Sequence, residues 1–317
     1  MILAGDIGGT RTRLALFDGL KCVKQEKYFS REHADLASIL LLFCPEGADK
    51  VCLGIAGPIS NGRVQATNLP WIIDVKDLKK ELKTDAVWLI NDLEANAYGL
   101  RRLLPEQFFT LNTGNPEAKG NAALISAGTG LGEAGLYWDG NKHHPFACEG
   151  GHTDFGARDE MEAELWRYLR TQYEHVSYER VLSGSGLNHM YRFLIDMHLE
   201  EESEELKLEM LDKDPAKVIT DHALNKESKA CKRALDWFIS IYGSEAGNLA
   251  LKHLAVGGIY VGGGIAPKIL NAMKEGNFMQ GFTAKGRFSE LLKAIPVKII
   301  LDENTALLGA AEYAYEK

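Results

Sequence analysis

"GDIGGTRTRLALF", Gly5 to Phe17, sets a carboxylate and a pair of glycines inside an otherwise apolar, strand-like run. Consecutive small residues let a turn aim several backbone N–H groups at one point, with no Cβ to obstruct a phosphate. Taken alone, the stretch supports only a plain hairpin turn. It has an echo further on: Ile2 to Phe17 and Ala122 to Trp138 ("AALISAGTGLGEAGLYW") each read as apolar strand, Gly-rich turn, strand. This predicts one β-hairpin used twice, once per domain. A further Gly-rich turn, Gly262-Gly263-Gly264 in "GGIYVGGGIAP", follows another strand pattern. Gly8-Gly9, Gly128-Thr129-Gly130 and Gly263-Gly264 together favour a nucleotide site distributed over several turns.

Around the first hairpin, short β-rich runs alternate with helical ones: "ILAGDI", "TRLALF", a helix from Leu36, "VCLGIAGP", "VQATN", a helix over Val75 to Leu82, and "AVWLIND". That order predicts an α/β unit with a mixed sheet. The turn-rich "NTGNPEAKGN", Asn112 to Asn121, marks a domain boundary. The expected domains are therefore a small α/β domain over 1–111 and a larger α+β domain over 112–302. The C-terminal helix, 303–317, is amphipathic and able to return to the first domain. From Glu160 to Leu254 the apolar spacing is mostly helical. The acidic run Glu200 to Pro215 reads as a solvated helix or connector.

The chain has 317 residues, 45% hydrophobic and 25% charged, enough to bury a core without staples. Its net charge of −8 lacks the basic face that nucleic acid or an anionic membrane demands. A small-molecule partner is the expectation. The 5 cysteines form no C-x-x-C pair, so free thiols in a reducing cytoplasm are expected. No signal-peptide pattern follows Met1, and "LASILLLFC" from Leu36 falls short of the roughly 20 apolar residues a bilayer demands.

Several motifs prove to be decoys. Gly130, Gly132 and Gly135 match G-x-G-x-x-G, but a dinucleotide unit needs a helix next, and "EAGLYW" is strand-like. "DFG" at Asp154 lies too close to that match to hold a protein-kinase lobe, and no H-R-D loop accompanies it. No G-K-[ST] P-loop occurs. His143, His144, Cys148 and His152 cluster on a loop-like segment, a pattern that is more often not a metal site.

"DIGGT" at Asp6, "AGTG" at Ala127 and "GGGIAP" at Gly262 resemble the two phosphate hairpins and the adenosine motif of the actin-like ATPase and sugar-kinase superfamily. "AGPIS", "TNLPW", "NDLEA", "EGGHTDF" and "ERVLSGSGL" resemble the bacterial glucokinase family, and the likeness runs almost end to end. It implies a two-domain actin-like (ribonuclease H-like) fold with the active site in the cleft between the domains. A homodimer is implied as well. Only Cys148 stands where the related repressor/kinase group carries a Cys-rich zinc motif, so the zinc-free branch is the nearer match and no zinc is expected. No DNA-binding helix pair precedes Asp6.

The resemblance implies ATP-dependent phosphorylation of glucose. Glucose would be held by Asn68, Asn91, Asp92, Glu149, His152 and Glu179, since carboxylates and amides match adjacent hydroxyls. The residues alone leave Asp92 between a helix N-cap and a functional acid; the resemblance makes it the general base. His152 alone reads equally as a core histidine, and Glu149 and Glu179 as surface acids. ATP would be gripped by Asp6, Gly8, Gly9, Thr10, Gly128, Thr129 and Gly130, with adenosine against Gly263 and Gly264. Asp6 would hold Mg²⁺, directly or through water. The rival expectations are a kinase for mannose, fructose or an N-acetylated hexosamine, and an actin-like ATPase switch.

Overall fold

In the computed structural model, which describes residues 1–66 and 69–317, the opening stretch is a hairpin of β1 (Ile2–Ile7) and β2 (Arg11–Asp18). The chain divides into two compact units: residues 1–107, 144–147 and 302–317, and residues 108–143 and 148–301.

The first unit continues with β3 (Lys21–Phe29), α1 (Leu36–Phe43), β4 (Lys50–Ile55), β5 (Arg63–Gln65), β6 (Ile72–Asp74), α2 (Val75–Leu82), β7 (Val87–Asn91) and α3 (Asp92–Gly99). Its main sheet runs β3-β2-β1-β4-β7, with β1, β4 and β7 parallel and the hairpin strands antiparallel. β1 and β4 are apolar almost throughout because both faces of the sheet are covered. Leu3, Ile7, Leu14 and Leu53 pack with Ile39, Leu40 and Phe43 of α1 and Leu78 of α2. On the opposite face Ala4, Ala15, Phe17 and Ile90 meet Ala306, Leu307, Ala310 and Ala314 of the C-terminal helix, Thr305–Glu316. Edge strand β3 is exposed and studded with Lys21, Lys24, Glu26 and Lys27, a charge pattern that discourages strand addition.

The second unit contains β8 (Phe108–Asn112), β9 (Ala122–Ala127), β10 (Leu131–Trp138), the two end residues of β11 (His143–Cys148, whose residues 144–147 count with the first unit), α4 (Glu160–Arg170), α5 (Gly184–Asp196), α6 (Glu204–Asp212), α7 (Pro215–Leu224), α8 (Lys229–His253), β12 (Gly258–Gly262), α9 (Leu270–Met273), α10 (Asn277–Thr283), α11 (Ser289–Lys293) and β13 (Val297–Ile300). Its sheet contains the order β10-β9-β12-β13-β8. β10 is antiparallel to β9, while β9, β12 and β13 are parallel. The succession β10-β9-β12-β13 thus reproduces β2-β1-β4-β7 in order and sense, which is the repeat that the two Gly-rich hairpins announced. β8 pairs with β13, and this ladder draws residues 108–111 into the second unit rather than the first. The expected boundary at Asn112 therefore moves back to Phe108.

α8 is the core helix of the second unit, with Phe238, Ile239, Tyr242 and Ala246 wholly buried. The Tyr242 hydroxyl accepts from the Ala127 N–H at 3.1 Å, directly below the Gly128–Gly130 turn. α6 keeps most of its acidic residues in solvent, as a charge-rich segment should.

Candidate active site

The parallel register aligns Ile7 with Ile55 and Ile55 with Asn91, so the carboxyl ends of β1, β4 and β7 lie side by side. Asp6, the Gly8–Thr10 turn, Asn91 and Asp92 therefore gather at one edge of the first sheet, the edge where open α/β sheets bind ligands. The Gly8 N–H donates to Arg11 O at 3.0 Å and closes the turn. The Ser30 hydroxyl donates to Gly8 O at 2.8 Å, and its N–H donates to Thr10 O at 3.1 Å. The turn is thus tied from below, and its own first amide is spent on closing it.

Asp6 stands directly across the hairpin from Arg13. The Arg13 guanidinium grips Asp6 Oδ2 through Nη2 and through Nε at 3.0 Å, and its Nη1 reaches Glu303 O. A carboxylate already paired this way suits Mg²⁺ held through water better than direct ligation, since Mg²⁺ keeps several waters and takes few protein carboxylates. Among the described residues no group of three or more His, Cys, Asp and Glu is placed to hold a metal.

Asn91 resolves the competing reading of its neighbour. Its Oδ1 accepts from the N–H groups of Leu93 at 2.9 Å and Glu94 at 3.3 Å, so Asn91, not Asp92, is the N-cap of α3. Asp92 is the first helical residue, half-buried, with Oδ1 3.0 Å from the Leu93 nitrogen. Asn68 lies outside the described residues.

In the second unit the Gly128 N–H donates to Gly130 O at 2.8 Å, closing this hairpin as Gly8 closes the first. Gly263 has φ +85, and a Cβ there would overlap Ala127 O and lie 2.7 Å from Ser126 Oγ. Only glycine allows β12 to turn away so tightly against the hairpin. Gly264 and Gly128 face open space, and Thr129 is exposed. The N-terminus of α5 meets the same turn, its Gly184 N–H donating to Gly128 O at 2.9 Å.

Glu149 and His152 are exposed and belong to one turn, in which the His152 N–H donates to Glu149 O at 3.1 Å. An antiparallel bridge of Asp154 with Ser177, and the Tyr178 N–H on Thr153 O at 3.0 Å, bring Glu179 beside that turn. Glu179 Oε2 accepts from the Leu131 N–H at 3.0 Å and lies against Gly130. Glu149, His152 and Glu179 are therefore brought together, and Glu179 adjoins the Gly128–Gly130 hairpin. Gly150 and Gly151 serve close packing rather than a bend. Neither has positive φ, and Cβ atoms on them would overlap Glu133 Oε2 and Leu131 O.

Sequence reasoning missed Arg13, although the hairpin register pairs it with Asp6 and would have found it. It also missed Glu133, Ser183 and Tyr242. Ser183 caps α5 through its Oγ on the Gly186 N–H at 3.1 Å and donates to Glu179 O at 2.8 Å, which fixes the backbone of the carboxylate above.

A family model described as Glucokinase matches residues 3–317. The chain belongs to the glucokinase family. The glucokinase of Nostoc punctiforme is 40% identical over 333 residues, covering 98% of each chain. The crystal structure of a glucokinase from an Antarctic psychrotroph superposes with TM-score 0.84 at 30% identity, covering 100% of this chain and 99% of that one. A glucokinase from Balamuthia mandrillaris, determined in complex with glucose, has the same fold, with TM-score 0.81 at 21% identity over 100% of this chain and 93% of its own. This family member is accordingly an enzyme, a kinase of carbohydrate metabolism that phosphorylates glucose with ATP. ATP with Mg²⁺ is the family's usual phosphoryl donor. Among the described residues no helix is long and apolar enough to cross a membrane.

Proposed function

We propose that glucose is phosphorylated at its primary hydroxyl with Asp92 as the general base and with Asn91, Glu149, His152 and Glu179 as the sugar ligands. The observation that carries this reading is the capping of α3 by Asn91, which makes Asn91 rather than Asp92 the N-cap at this strand–helix junction. A half-buried carboxylate at the carboxyl edge of a parallel sheet is in place to accept the proton of an attacking hydroxyl. Glu149 and Glu179 accept from neighbouring sugar hydroxyls while His152 and the Asn91 amide complete the set. A polar set of this kind discriminates strongly against an analogue lacking a hydroxyl, because buried groups are then left unpaired.

Phosphoryl transfer calls for alignment and charge stabilisation more than covalent chemistry. Gly9, Thr10, Thr129 and Gly130 grip phosphate oxygens through amides and hydroxyls that the hairpin-closing bonds leave over. Gly263 and Gly264 receive adenosine. Mg²⁺ arriving with ATP supplies positive charge to the phosphates. Asp6, held by Arg13, orients water on that ion.

The test is ADP release with glucose, mannose, fructose and N-acetylglucosamine as acceptors. Turnover stimulated by glucose above the other sugars is expected. ATP hydrolysis indifferent to every hexose would instead favour an actin-like switch.

A further inference from the structure

Glu133 lies directly beneath the turn that carries Glu149 and His152. It leaves β10 at the position paired with Ile125 and is 1% exposed. Its Oε1 is buried with no hydrogen-bond partner. Its Oε2 fills the space that a side chain on Gly150 would need, and Glu133 Cβ lies 3.3 Å from the same point. The next glycine, Gly151, rests on Leu131 O in the same manner. The turn is therefore seated on β10 at Leu131 and Glu133, without room for a side chain between them.

The surroundings of Glu133 favour a neutral carboxyl. From α8 it is faced by Glu245, Tyr242 and Lys252, and from the end of β11 by Cys148. Glu149 follows Cys148 on the turn itself. Glu245 is wholly buried and accepts from Asn248 Nδ2 at 2.6 Å and from Lys252 Nζ at 3.2 Å, so Lys252 is already engaged by another carboxylate. Burial first, and the charge of Glu245 second, push the Glu133 carboxyl up to about 8 against a smaller opposing effect of Lys252. An ionised carboxylate in this place has to recruit water or a donor. The element in direct contact with Oε2, and the one it has to lift to admit water, is the Gly150–His152 turn.

We propose that Glu133 is a positioning residue that seats the Glu149–His152 turn only while its carboxyl carries a proton, so that its ionisation sets an alkaline limit on glucose affinity. The proposal rests on the reading of Glu149 and His152 as sugar ligands. Loss of the proton acts through the Gly150–His152 turn, which holds His152 and adjoins Glu149 but contains neither Asp92 nor a residue of the Gly-rich turns, so ATP binding and the step at Asp92 are expected to be left alone. It raises the glucose KM instead.

The experiment is the pH profile of glucose KM, ATP KM and kcat for the wild type and for Glu133→Gln, whose amide keeps the size and neutrality of the protonated acid. The wild-type glucose KM should rise about tenfold between near-neutral pH and about one unit above the carboxyl's pKa, with ATP KM level. In Glu133→Gln the glucose KM should stay within about twofold of its own near-neutral value over the same range. An alkaline rise that persists in Glu133→Gln overturns the proposal, and so does a wild-type glucose KM that stays level. Glu149→Gln, measured near pH 6 where Glu133 holds its proton, separates the two readings: an unchanged glucose KM there overturns the ligand assignment itself. Should Glu133→Gln fold poorly, thermal melting of the wild type supplies the same titration. A raised folded-state pKa gives stability that is fully present below the ordinary Glu value and lost as pH climbs through about 8. A wild-type melting temperature that does not fall over that window also overturns the proposal.

Discussion

Glu179 ties two features of its own unit together: its Oε2 holds the Leu131 N–H at 3.0 Å, and its carboxylate lies against Gly130 of the Gly-rich hairpin. A bond from an amide to a carboxylate contributes roughly 1.5–3 kcal/mol. Glu179→Gln retains an oxygen for that bond but loses the charge that strengthens acceptance from sugar hydroxyls. Its glucose KM is expected to rise about tenfold or more with ATP KM unchanged, a split that steady-state kinetics with each substrate varied in turn will read. His152→Ala is expected to follow the same pattern, since the side chain is exposed and its loss costs the turn little. An ATP KM that rises with the glucose KM in both variants would count against the assignment. At this scale the sequence is legible in the proximity of Glu149, His152 and Glu179, which the fold brings to one place. It is silent where the partner is set by folding. Arg13 is seven positions from Asp6 but opposite it in the hairpin register, and Glu133 is hidden in a strand pattern whose other members are apolar or glycine.

At the scale of elements, the proposed phosphate site depends on how closely the backbone turns approach one another. The turn after β12 approaches the Gly128–Gly130 hairpin so closely that Gly263, at φ +85, has no room for a Cβ beside Ala127 O. Tyr242, buried in α8, holds the Ala127 N–H from the other side. Gly263→Ala combines a left-handed backbone with an overlap against a carbonyl, and is expected to lower the melting temperature and raise ATP KM while glucose KM is retained. Calorimetry together with kinetics checks this; unchanged melting and ATP KM would mean that the turn tolerates displacement. Element by element, strong period-2 and period-3.6 patterns made β1, β2, α2 and β7 readable in advance. β8 was not, because a short half-buried strand becomes part of a sheet only through β13, which lies far along the chain. The role of Gly150-Gly151 was likewise hidden: a glycine pair in sequence suggests bending, while here it permits contact with β10.

At the scale of the whole molecule, one plan is executed twice. The succession antiparallel hairpin, parallel strand, parallel strand occurs in both sheets, and each places a Gly-rich turn at the carboxyl edge of its first strand. Each repeat supplies a turn closed by its first glycine, at Gly8 and at Gly128. They then diverge. The first unit carries Asp92 beside its turn, and the second carries Glu149, His152 and Glu179; under the proposed function proton acceptance falls to the first and sugar recognition largely to the second. The repeat was legible from two glycine motifs, whereas the capping of α3 by Asn91 rather than Asp92 is a three-dimensional detail that the sequence left open. The central claim, that Asp92 is the base, is tested most directly by steady-state formation of glucose 6-phosphate in Asp92→Asn. An amide of the same shape cannot take the proton, so kcat should fall by about 10²–10⁴ while glucose KM moves little. A variant that turns over at near the wild-type kcat would contradict the account.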